Sequence, residues 1–126
     1  MANSTSAPQI STKGDSITVT NSALATIIGL AAHEVPGVVG MAPANITEGL
    51  KRILGVQQVD EGVVVSREQK DEQESIHVDL YVAMAYGVNI PAVADAVYER
   101  VQYAVESLAG IQLSNICVHV AGVSRG

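Results

Sequence analysis

Apolar residues recur every three or four positions between residues 87 and 110, and this spacing predicts the longest helix of the chain. Asn89 is suited to cap its first turn, and Pro91 has no backbone N–H to leave unpaired there. Gly110 follows the last apolar position and is suited to end the helix. We expect one face of this helix to lie at the centre of the core. Its apolar stripe comprises Val93, Ala94, Val97, Val101, Ala104, Val105 and Leu108.

Alternation of apolar and polar residues predicts the strands that cover this helix. Residues 76–86 alternate most clearly, and residues 113–120 alternate in the same way after the helix. Shorter patterns predict strands at residues 15–20 and 62–69. The charged run REQKDEQE, residues 67–74, is expected to be a solvated hairpin connection.

Two more helices are predicted in the first half of the chain. The first runs from Asn21, as its N-cap, to about Glu34, and a loop follows at residues 38–45. Asn45, with Glu48 three residues later, then begins a short helix that ends at Gly55. The apolar stripe of the first helix comprises Leu24, Ile27, Ile28, Ala31 and Val35, and that of the short helix Ile46, Leu50, Ile53 and Leu54.

The predicted order of elements is strand, helix, short helix, strand, strand, helix, strand. This order favours an α+β domain: a small, mostly antiparallel or mixed four-stranded sheet with its helices packed on one face. We expect residues 1–14 to be a flexible N-terminal tail, residues 15–123 to form a single domain, and residues 124–126 to be a C-terminal stub.

The charge balance argues against nucleic acid as a partner. Seven Lys and Arg against thirteen Asp and Glu give a formal net charge of −6, and Phe and Trp are absent. Phosphate binding and attachment to an anionic membrane surface both rely on clustered positive charge. The longest uncharged apolar run, residues 23–32, is about half the length needed to span a bilayer. The sequence therefore predicts no nucleic acid binding and no direct membrane insertion.

Cysteine content indicates a reducing compartment. Cys117 is the only cysteine of the chain and cannot form an intramolecular disulfide. The N-terminal residues show no basic and apolar regions of the secretory kind. We predict a cytoplasmic location.

Four polar residues of the last two predicted strands form a candidate metal site. His77 and Asp79 precede the long helix, Cys117 and His119 follow it, and alternation places all four on the sheet face that points away from the helices. Imidazole, thiolate and carboxylate are zinc ligands, so a small metal- or ligand-binding protein or enzyme is an alternative function. Polar outward residues are the default for a sheet covered on one side, and we predict no metal, no cofactor and no catalytic residue.

The same outer face also carries residues that are less polar than a solvated face requires. Val64, Tyr81, Ala83 and Ala85 are predicted to lie there, and such a patch is typical of association. We predict that the protein forms a homo-oligomer or docks a protein partner through this face or through an edge strand such as residues 17–20.

Three segments of the chain resemble the alkaline shock protein family, also called the envelope stress response family of Gram-positive and related bacteria. They read ITVTNSALATIIGLAAHEVPGVVG, YGVNIPAVADAVYERVQYAVE and LAGIQLSNICVHVAGV, and together they cover most of residues 17–123. The resemblance implies a non-enzymatic cytoplasmic protein of the envelope stress response. It also implies that the protein associates with itself and, through a membrane-anchored partner, with the inner face of the cell membrane. The family has no established catalytic residues to carry over.

Overall fold

The computed structural model describes residues 9–10, 17–41, 57–60, 62–71 and 73–125. The predicted short helix of residues 45–54 lies outside these ranges. The described elements, in chain order, are β1 (Gln9–Ile10), β2 (Ile17–Thr18), α1 (Asn21–His33), β3 (Val38–Met41), β4 (Gln57–Asp60), β5 (Val63–Lys70), β6 (Gln73–Ala85), α2 (Ile90–Ala104) with a π-turn (Val105–Ala109), and β7 (Asn115–Ser124).

Strand β6 is the centre of a five-stranded mixed sheet. It pairs in parallel with β7 and antiparallel with both β5 and β3, while β4 extends the sheet beyond β5. The backbone N–H groups of Tyr81 and Ala85 donate to Gly62 and Gly37, so β5 and β3 share one edge of β6. The Tyr86 N–H donates to Ser124 on the opposite edge. The predicted α+β class and element order are confirmed. The sheet has five strands and not the predicted four, because β3 forms a strand where a loop was expected and β4 is a strand that was not predicted.

One face of β6 forms the floor of the core. Its even-numbered side chains from Ile76 onward are all buried and belong to one apolar cluster with α1 and α2, so both described helices pack on the same face, as predicted. Burial of these aliphatic side chains, at about 1.5–3 kcal/mol each, is the main favourable contribution to the free energy of folding in this part of the protein. These core residues of β6 are Ile76, Val78, Leu80, Val82 and Met84.

The first turn of α1 is capped by Thr20 and not by the predicted Asn21. Thr20 Oγ1 accepts a hydrogen bond from the Ala23 N–H at 3.1 Å. Asn21 therefore uses its side chain elsewhere, and its Oδ1 accepts a hydrogen bond from Arg67 Nε. Asn21 and Arg67 are both buried. The prediction that Arg67 lies in a solvated connection was wrong, because β5 continues to Lys70 and β6 begins at Gln73.

Both predicted ends of the long helix are confirmed. Asn89 Oδ1 accepts from the Ala92 N–H at 3.0 Å, and Pro91 lies in the first turn. Gly110 has φ 68°, the left-handed conformation that ends a helix without a steric penalty for glycine.

The last residues of this helix differ from the prediction. Val105–Ala109 form a π-turn, which accommodates one more residue than an α-turn and displaces the residues that follow around the helix axis. Leu108, predicted to lie in the core, is 73% exposed, and Ala109 is buried in its place. The wide turn thus removes a leucine from the apolar stripe.

Truncating one exposed and one buried side chain of the π-turn should change the stability of the protein by different amounts. Leu108→Ala should change the free energy of unfolding by less than about 0.5 kcal/mol, because little apolar surface is buried there. Val105→Ala, at a fully buried position, should cost about 2 kcal/mol from lost burial and an unfilled cavity. Urea denaturation followed by circular dichroism measures both. Equal losses would contradict the outward orientation of Leu108.

The smaller β1–β2 sheet involves part of the predicted tail. Gln9–Ile10 pair antiparallel with Ile17–Thr18, although residues 1–14 were predicted to be flexible. At the other end, β7 continues to Ser124, one residue beyond the predicted domain boundary.

Candidate functional site

The sheet face that points away from the helices is built from the odd-numbered residues of β6 and their neighbours on β7. In the parallel register His77 lies beside Asn115, Asp79 beside Cys117, and Tyr81 beside His119. The four predicted metal-ligand candidates therefore share one face of two adjacent strands, as the alternation pattern predicted.

Asp79, Tyr81 and His119 form a compact polar cluster on this face. His119 Nε2 lies 2.9 Å from Asp79 Oδ1. The Tyr81 ring stacks on the His119 ring, with centroids 4.5 Å apart and planes inclined by 13°. Partial burial, and then the electrostatic effects of Asp79 and Cys117, raise the pKa of Tyr81 above its ordinary value. A tyrosine phenol is uncharged at neutral pH even at its ordinary pKa of about 10, so Tyr81 can pack against a partner surface without a charge to desolvate.

The candidate ligands do not converge on a metal site. His119 Nε2 is engaged with Asp79, whereas His77 Nε2 lies 3.6 Å from Glu68 Oε1, on strand β5. Within the described residues, no group of three or more His, Cys, Asp and Glu side chains is arranged to hold a metal ion. The arrangement on this face is that of two separate His–carboxylate pairs.

Next to this cluster the outer face is flat and uncharged. Ala83 lies beside Gly40 on β3 and beside Gly122 on β7, so three small residues form one row across three strands. A methyl group placed on Gly40 would meet no atom within 4 Å, and one on Gly122 would lie 3.8 Å from the Ala83 methyl. We call the half-buried residues Gly40, Tyr81, Ala83, Ala85 and Gly122 the flat patch.

Two of these residues were not identified from the sequence. Gly40 and Gly122 join the flat patch through strand pairing that no local pattern specifies. The one signal in the sequence is a glycine within a strand-like run, which often marks a close approach of another backbone.

Val64 does not belong to the accessible part of this face. Its register partner is Asp79, which places it on the outer side as predicted, but Val64 is fully buried. The expectation that it contributes to an exposed patch was therefore wrong. Its neighbour on the same side of β5, Ser66, is also buried, and the Ser66 Oγ has no hydrogen-bond partner among the described residues. Alternation along a strand specifies on which side of the sheet a side chain lies, but not whether that side is exposed to solvent.

The predicted docking edge at residues 17–20 is short in the structure. Only Ile17–Thr18 are in a strand, and they pair with β1. Strand β7 is the longer edge, with ten residues and β6 as its only partner among the described strands. No helix in the described ranges has the length and apolar character needed to cross a membrane.

Comparisons with known proteins assign the chain to a family. The model of the alkaline shock protein 23 family, described as having a cell envelope-related function, matches residues 9–125. The uncharacterized protein YloU of Bacillus subtilis is 35% identical over 116 residues, which cover 91% of this chain and 93% of YloU. The uncharacterized protein Spy1614 of Streptococcus pyogenes is 34% identical over the same length, with the same coverage of both chains. No solved structure gives a significant match. The family match spans every strand that builds the outer face, and the chain belongs to this alkaline shock protein family of cell envelope-related function.

Proposed function

We propose that the protein is a non-enzymatic scaffold of the envelope stress response, which associates with itself and docks a membrane-anchored protein at the inner face of the cell membrane. The cell envelope-related function of the family supports the setting. The observation that carries the scaffold role is the flat patch, because a sheet face left open to water normally presents polar side chains.

The chemistry of the flat patch suits contact with protein. It contains small residues and one tyrosine, it carries no formal charge, and its residues remain half exposed. A flat backbone-rich surface lets a partner approach closely, and Tyr81 adds a large ring that is already held in place by His119. Tyrosine is enriched at interface centres because its ring is large and loses little conformational entropy on binding.

The charge of the chain supports a protein partner at the membrane. With a net charge of −6, the protein is repelled by an anionic lipid surface. A membrane-anchored protein that presents its own docking site removes this obstacle. The alternative metal-binding or enzymatic function gains no support from the two separate His–carboxylate pairs.

Charge introduced into the flat patch should reduce assembly. The double variant Tyr81→Glu, Ala83→Lys places two charges where a partner surface must desolvate them, and we expect a lower mass in light scattering and less recovery in the membrane fraction. The matched control is Tyr103→Glu, Ala96→Lys, which makes the same exchanges at exposed positions of α2. Circular dichroism checks that both variants fold. Unchanged assembly of the folded patch variant would reject this surface, and a native protein that is monomeric and found only in the soluble fraction would reject the scaffold role.

A further inference from the structure

Among the described strands, β7 has one edge whose backbone hydrogen-bonding groups pair with no other strand. The odd-numbered residues of β6 direct their backbone groups to β5 and β3, so their parallel register partners Asn115, Cys117 and His119 direct theirs to β6. The N–H and C=O groups of Ile116, Val118 and Val120 point the other way. All three residues are half exposed. This edge can therefore accept another strand.

The edge lacks the devices by which proteins usually prevent strand addition. Residues 115–120, NICVHV, contain no Lys, Arg, Asp, Glu, Pro or Gly. The β-bulge of this strand comes only after Val120. By contrast, β3 is four residues long and carries its irregularity between Val38 and Gly40. Natural sheets protect exposed edges with charge, proline, bulges or short length, and residues 115–120 show none of these.

We propose that β7 is the edge through which two copies of this protein pair, antiparallel and about a two-fold axis, so that their sheets become continuous. This inference rests on the self-association in the proposed function and specifies where it occurs. Identical strands can pair antiparallel because each supplies the donors and acceptors that the other lacks, and a two-fold axis closes the pair.

Partial burial along β7 favours a second copy as the occupant. Ile116, Val118 and Val120 lie on the helix side of the strand and pack against the core, yet each remains only half buried at the open edge. Pairing with the same strand of another copy places these three side chains beside their counterparts and removes more apolar surface from water.

Charge does not oppose this contact. Each copy has a net charge of −6, which repels at long range, but the edge itself carries no acidic side chain. The acidic residue beside it, Asp79, is paired with His119. The two copies therefore meet along the uncharged part of their surfaces.

The register of the pair is constrained by the same geometry. Within residues 115–120, even-numbered residues must lie opposite even-numbered residues, because only those direct backbone groups to the open edge. The outer faces of the two sheets then lie on the same side, and both flat patches stay available for a partner. Pairing through β7 and docking through the flat patch are therefore compatible.

A proline at the edge tests the pairing without removing a hydrogen bond between β7 and β6. In Val118→Pro the missing N–H is one that points away from β6, and proline is tolerated at such edge positions. The control Val118→Ile keeps both the N–H and an apolar side chain. We expect the dissociation constant of the pair, measured by sedimentation, to rise about tenfold or more in the proline variant and to stay near the native value in the control. Equal association of the two folded variants would overturn the pairing.

Amide hydrogen exchange of the native protein gives a second measurement that needs no variant. The Val118 and Val120 amides should exchange freely at dilution and become protected as protein concentration rises, because pairing engages their N–H groups. Association without protection of these amides overturns the β7 interface but leaves self-association intact. A native protein that stays monomeric at all concentrations overturns both the interface and the self-association on which it rests.

Discussion

Val101→Asp is expected to abolish the folded state. Val101 is fully buried in α2 and belongs to the cluster shared by both helices and the sheet. An aspartate there must either bury a charge without a partner or bind a proton, and both cost several kcal/mol against a total stability of about 5–15 kcal/mol. We expect no cooperative thermal transition in circular dichroism or calorimetry.

The matched control for this change lies two residues away. Tyr103 is on the same helix but 64% exposed. Tyr103→Asp introduces the same charged group into solvent and should shift the unfolding free energy by no more than about 0.5 kcal/mol. A cooperatively folded Val101→Asp protein would show that α2 does not face the core as described.

Arg67→Ala should be the most destabilising change at a polar residue among those described. The Arg67 side chain is 2% exposed and bonds to three groups outside its own strand. Its Nε donates to Asn21 Oδ1, its Nη1 to Glu74 Oε2 at 3.3 Å, and its Nη2 to the Val19 carbonyl at 3.4 Å. These bonds join the β5–β6 hairpin to the beginning of α1.

Burial lowers the pKa of Arg67, and the hydrogen bond and charge of Glu74 act in the opposite direction. The guanidinium nevertheless stays charged, because its ordinary pKa is far above neutrality. Its removal leaves Asn21, Glu74 and the Val19 carbonyl without this donor. Breaking a buried pair of this kind costs about 3–5 kcal/mol.

That loss corresponds to a fall in melting temperature of roughly 15 °C for a chain of this length. Arg67→Lys should recover only part of it, since an ammonium group cannot reach three acceptors in the planar arrangement of a guanidinium. Thermal unfolding of the three proteins measures both effects.

Arg100 provides the control, because it makes an ion pair of the same chemistry at the surface. Its Nε donates to Glu34 Oε1 at 2.9 Å, and both side chains are about half exposed. Exposed pairs of this type contribute about 0–1 kcal/mol. Arg100→Ala should therefore lower the melting temperature by a few degrees at most. If Arg100→Ala lowered the melting temperature as much as Arg67→Ala, burial would not be what makes the Arg67 contacts strong.

The sequence identified some residues of the candidate site and missed others. Tyr81, Ala83 and Ala85 were predicted on the outer face because alternation along one strand specifies which side chains point the same way. Val64 follows the same rule and is on the predicted side, but it is buried. Gly40 and Gly122 became neighbours of Ala83 through pairing between strands that are far apart in the chain.

Local periodicity determined the strand β6, the helix α2 with its Asn89 and Gly110 ends, and the separation of core from outer face, because these depend on residues within a few positions of one another. The tertiary structure alone decided that β7 is a long uncharged edge, that Arg67 is buried against Asn21, and that the π-turn directs Leu108 outward. The first two depend on which distant residues meet, and the π-turn places Val105 and Ala109 in the core in preference to Leu108. Neither the open edge of a sheet nor the partner of a buried charge is encoded in the spacing of apolar residues along the chain.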